Sequence, residues 1–157
     1  MPRYVTAHAL SVNDQGVVLA IAGVLGYENS VATFDCGFDA PRAQLAEIVG
    51  TDATISWDGF IGPDDPTHCA FTLSVTADPN WGVEGSLERI DVPTPMPQAA
   101  SLIERFSSDV LQGSPQNPFW PEISLKTQRV VDAVQESWKA GGTKVQVLPL
   151  LLPAAKL

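Results

Sequence analysis

Val17-Val-Leu-Ala-Ile-Ala-Gly-Val-Leu-Gly-Tyr27 is a continuous apolar run, and after Glu28-Asn-Ser30 it gives way to the alternating Val31-Ala-Thr-Phe-Asp-Cys-Gly-Phe38. Two β-rich runs separated by turn residues predict a hairpin. Working outward, the residues over 3–12 alternate as well, with Tyr4, Thr6, His8 and Leu10 on one face and small residues on the other. Asp39-Ala-Pro41 breaks the strand ending at Phe38. A second hairpin is expected from 44–49 through Gly50-Thr-Asp52 into 53–58, and 59–67, with Pro63 and Pro66, reads as a loop. Strands over 69–75 and 83–92 are expected around an Asp78-Pro-Asn turn, and 93–97 closes the sheet.

The period changes near residue 98. Leu102, Phe106 and Val110 recur at i, i+4 and i+8 over 98–111, with Pro97 suited to a helix start and Gly113 to its end. A second helix over about 125–140 follows a Ser124 cap, carries the stripe Val130, Val131, Val134 and Trp138, and stops at Gly141-Gly142. The expected fold is therefore α+β: a large, predominantly antiparallel β-sheet with two C-terminal helices packed on one face. The other face is left to meet a partner, because a broad apolar sheet face is rarely bare.

Several of these segments also carry a family likeness. Phe34-Asp-Cys-Gly-Phe38 and Leu45-Ala-Glu-Ile-Val-Gly-Thr-Asp-Ala-Thr-Ile-Ser-Trp57 resemble the strand pair that opens the large sheet of the glucose-fructose oxidoreductase / inositol dehydrogenase (Gfo/Idh/MocA) family, in its xylose and dihydrodiol dehydrogenase-like branch. Ile103-Glu-Arg-Phe-Ser-Ser-Asp-Val-Leu-Gln-Gly113 and Arg129-Val-Val-Asp-Ala-Val-Gln-Glu-Ser-Trp-Lys-Ala-Gly-Gly-Thr-Lys-Val145 resemble its closing helices and last strand. The resemblance implies that residues 1–147 form the family's C-terminal substrate and oligomerisation domain. The tail 148–157 matches nothing in it and reads as cloning-derived, so a captured gene fragment is one expectation.

In that family a hydride passes between a sugar-like alcohol or aldehyde and NAD(P) held by an N-terminal Rossmann domain. The dinucleotide turn needs G-x-G-x-x-G, so that backbone N–H groups at a helix N-terminus can meet the pyrophosphate. Here Gly23-Val-Leu-Gly26 and Gly82-Val-Glu-Gly85 are isolated pairs inside strand-like segments. The family's Glu-Lys-Pro motif and substrate-facing Asp and His have no match either, and would lie before residue 1. No catalytic residue is carried over, and NAD(P) is not an expected cofactor of this chain alone.

Composition narrows the remaining choices. At 157 residues, 45% hydrophobic and 17% charged, the chain has the profile of one globular domain. It has no apolar run of membrane-spanning length and no visible signal peptide, so a cytoplasmic setting is expected. A net charge of −9 with only nine Lys and Arg argues against nucleic acid. Alternation puts Cys36 beside Phe34 and Phe38, and Cys69 beside Phe71 and Leu73, so both read as buried thiols. They form no C-x-x-C pair.

With Cys36, Phe71 and the helix stripes taken to mark the covered face, alternation sets Thr33, Asp35, His68, Thr72 and Ser74 on the open face. His8, His68, Asp35 and Glu47 are the residue types that bind Zn²⁺ and activate water, though no local spacing fixes their geometry. No G-x-S-x-G elbow or P-loop occurs. Trp57, Phe60, Trp81, Phe119 and Trp120 gather near loops, where aromatics either stack on sugar rings or anchor loops to the core.

Three functions follow as expectations. The first is a substrate-binding and oligomerisation domain, forming a homodimer or higher homo-oligomer through the open sheet face. The second is a zinc-assisted hydrolase of esters or phosphoesters, and the third is one half of a split NAD(P)-dependent oxidoreductase.

Overall fold

The computed structural model describes residues 1–59, 61, 68–77, 84–113 and 118–148. The expected loop over 59–67, the Asp78-Pro-Asn turn and the tail beyond 148 fall largely outside these residues. The strands are β1 (Tyr4–Val12), β2 (Val18–Gly26), β3 (Val31–Gly37), β4 (Leu45–Val49), β5 (Thr54–Asp58), β6 (His68–Val75), β7 (Ser86–Pro93) and β8 (Val145–Gln146). Helices α1 (Gln98–Leu111) and α2 (Phe119–Lys139) lie between β7 and β8. Every strand pairing is antiparallel, and the class is α+β.

The strands build two four-stranded sheets rather than one large one. Sheet A has the order β3-β2-β1-β8 and sheet B the order β4-β5-β6-β7. Alternation assigns each residue to a face but does not name a strand's neighbours. The chain leaves β3 through Asp39-Ala-Pro41, where proline offers no N–H to a ladder. The fold accordingly divides into two compact units, 1–40 with 115–157, and 41–114.

In the first unit, the β1–β2 turn is held by Asn13. Its Oδ1 accepts from the backbone N–H groups of Gln15 at 3.0 Å and Val17 at 2.9 Å, and Gly16 takes φ +78°. Such an Asx turn with a left-handed glycine lets the strands reverse without strain. Helix α2 packs on β1 and β8. Val5, Ala7, Ala133 and Val147 are buried there, with Ile21, Leu25, Phe34, Val130, Val134, Trp138 and Val145 partly buried around them. Val131, expected in the apolar stripe, is instead 42% exposed.

Helix α2 starts earlier than the expected Ser124 cap. It begins at Phe119 after Pro118, and Pro121 sits in the first turn, where a missing N–H breaks no helical bond. Ser124 Oγ donates back to the Trp120 carbonyl at 2.9 Å and caps nothing. The C-terminal end is as expected, with Gly141 and Gly142 at φ +72° and +86°.

Because β8 is short, β1 lacks a strand partner beyond Val5 on that edge. Ser137 takes over: fully buried, its Oγ accepts from Ala7 N–H at 2.9 Å and donates to the Thr143 carbonyl at 2.7 Å. One hydroxyl thus joins helix, strand edge and the turn into β8.

In the second unit, α1 buries none of its residues, and its apolar stripe of Leu102, Phe106 and Val110 stays exposed. No helix among the described residues is long and apolar enough to cross a membrane.

Candidate functional site

The ladder registers place the expected site residues in rows. His8 pairs with Ala22 and Ala22 with Asp35, so the three lie side by side across sheet A. Cross-strand partners share a face, and since Val5 and Ala7 face α2, His8 and Asp35 lie on the face away from it. Two strand spacings separate their backbones, about 10 Å. Both residues are exposed.

Glycines on this sheet make room for rings. A Cβ on Gly26 would fall inside the ring of Tyr4, its cross-strand partner, and one on Gly23 would lie 2.6 Å from the Thr6 carbonyl and 2.8 Å from the Phe34 ring. The Gly23/Gly26 pair thus has a packing role. A Cβ on Gly142 would fall on the His8 imidazole, so His8 rests against the turn leading into β8. Next to it, Lys144 Nζ stands 3.7 Å from the Tyr4 ring centroid, a cation–π contact.

Glu47 and His68 belong to sheet B. Glu47, Ser56, Thr72 and Arg89 form a polar row across all four strands. His68 lies on the same face but four residues along β6 from Thr72, about 13 Å, and two strands from Glu47. The two are not neighbours. Among the described residues no three His, Cys, Asp or Glu side chains are grouped to hold a metal ion.

The polar face of sheet B carries a groove of about 1180 Å³, lined by Ser56, Asp58, His68, Thr72, Arg89 and Asp91 and walled by the segment 94–99. Strand β7 contributes only Arg89 and Asp91, which places the groove on the row's side of the sheet. Arg89 Nε donates to Asp91 Oδ1 at 3.2 Å. The opposite face carries Ile48, Ile55, Phe71, Leu73 and Ile90, with Glu88 across from Leu73, and is mainly apolar.

Two readings from the sequence change here. Cys36 and Cys69 are both exposed, not buried. Cys36, opposite Ile21, lies on the helix side of sheet A, but α2 lies over β1 and β8 and leaves the end of β3 open. Phe119 and Trp120 are helical rather than loop residues, meeting edge to face at 5.0 Å in the first turn of α2. Trp57 lies in β5 opposite Ala46, on the face of Ile55 rather than that of the polar row, while Phe60 and Trp81 lie outside the described residues.

No family model matches the chain. Among solved structures, the fold is similar to the Bacillus subtilis protein described as "putative oxidoreductase yvaA", with TM-score 0.68 and 18% identity. The likeness covers 94% of this chain and 47% of that one. The chain therefore has the fold found over about half of an oxidoreductase-like protein, and spans less than half of that protein's length.

Proposed function

We propose that the chain acts as a substrate-binding and oligomerisation domain of the sugar dehydrogenase type, and does not by itself transfer hydride to NAD(P). The reading is supported above all by the fold likeness, which takes in nearly the whole of this chain but only 47% of an oxidoreductase-like one. Its sequence provides no glycine turn for a pyrophosphate, and Gly23 and Gly26 are occupied in packing against Phe34 and Tyr4. A fluorescence titration with NADH and NADPH tests the proposal. The expected outcome is no saturable change at micromolar cofactor, and saturable binding in that range would overturn it.

A second reading, zinc-assisted hydrolysis of an ester or phosphoester, draws on the His8–Ala22–Asp35 row. Imidazole and carboxylate on one face are ordinary zinc ligands, and a two-fold pairing of chains would double both. On this reading His8→Ala removes bound zinc, measured by elemental analysis, together with any hydrolysis. Unchanged metal content in that variant would exclude the row as the site.

A further inference from the structure

We propose that the crevice between α2 and the ends of β2 and β3 binds a monocarboxylate with an apolar body. Helix α2 covers β1 and β8, which leaves the start of β2 and the end of β3 open beside the helix flank. The resulting crevice has a volume of about 470 Å³, within the size range of small-molecule sites. Leu19, Ile21 and Cys36 lie on its sheet side, and the Trp138 indole walls its helix side. Phe38 stands at the mouth, 92% exposed.

The chemistry of the lining selects the ligand. Among the described residues that line it, Lys139 is the only charged one and Gln135 the only amide, both on α2. In a chain of net charge −9 the described lining thus carries one positive charge beside an apolar bed. Lys139 Nζ lies 6.0 Å from the Trp138 ring centroid, so the ammonium is held above the aromatic wall. An apolar body on Leu19, Ile21 and Trp138 would bring a single carboxylate to Lys139 and Gln135, forming charge-assisted hydrogen bonds at the rim. A cation would meet Lys139, and a polyanion would find one partner for several charges. The site lies within one compact unit and owes nothing to the dehydrogenase-type reading.

Isothermal titration calorimetry with octanoate tests the proposal, with 1-octanol as the uncharged comparator. Octanoate should bind saturably, one per chain, and more tightly than octanol. Lys139→Glu should weaken it about tenfold or more, in keeping with loss of a charge-assisted contact, while Lys139→Arg should retain it. Cys36→Phe, a filling change at an exposed position, should block octanoate and octanol alike. Circular dichroism of each variant separates loss of fold from loss of the site, and Lys139→Gln serves if the Glu variant fails to fold. Absence of saturable octanoate binding, or equal binding by the wild type, the Glu variant and the Phe variant, would overturn the assignment.

Discussion

Ser137 is the residue whose role is least visible in the sequence and most definite in the structure. Nothing in the helical stripe marks a serine as core, because a polar residue flanked by Glu136 and Trp138 reads as a stripe boundary. Its importance comes from β8 being too short to satisfy Ala7 N–H, a fact of tertiary pairing. Ser137→Ala would leave that buried donor unpaired and should cost about 1–3 kcal/mol in chemical denaturation. Ser137→Thr keeps the hydroxyl and tests whether hydrogen bonding, rather than volume, carries the effect. The glycines teach a similar lesson. Gly23, Gly26 and Gly142 are read along the chain as breakers or cofactor motifs, but each gives way to a ring from elsewhere, Phe34, Tyr4 or His8. For the candidate site, alternation identified the face of Asp35 and left that of His8 open. It had no means of showing that Ala22 stands between them or that Glu47 and His68 are far apart, since both depend on register.

Among the elements, strand and helix positions were legible because their periods differ, two for strands and 3.6 for helices. The β1 to β3 meander and α1 agree with expectation to within a residue or two. Sheet count was not legible, because hairpin signals join consecutive strands and say nothing of whether β3 or β4 finds another partner. The start of α2 was misplaced for a local reason. Ser124 looks like a cap and Pro121 like a barrier, but proline is tolerated in a first turn, and the helix extends back to Phe119. Since the Ser124 hydroxyl only bonds back to Trp120, Ser124→Ala should change stability by less than about 0.5 kcal/mol. A true cap would lose about 1 kcal/mol, so a thermal or urea melt distinguishes the two roles.

On the scale of the whole molecule, the decisive quantity is apolar surface left uncovered. The face of sheet A away from α2 has Val18, Ala20, Ala22 and Val24 along its middle strand, with Leu10 and Val31 beside them 66% and 67% exposed. Monomers seldom leave such a strip in water, and a two-fold contact lets one patch cover its own copy. On the proposed reading, this open face is where a homodimer forms. A stable interface buries about 1,600 Å² in total, and small side chains such as Ala20 and Ala22 let two sheets approach closely. Sedimentation equilibrium should then give at least twice the 16.7 kDa chain mass at micromolar concentration. Val24→Lys, placing a charge on the strip without touching the α2 core, should shift the equilibrium toward monomer with the far-ultraviolet spectrum unchanged. A wild-type chain that sediments as a monomer throughout that range would remove the oligomerisation half of the proposed function and leave the fold assignment intact.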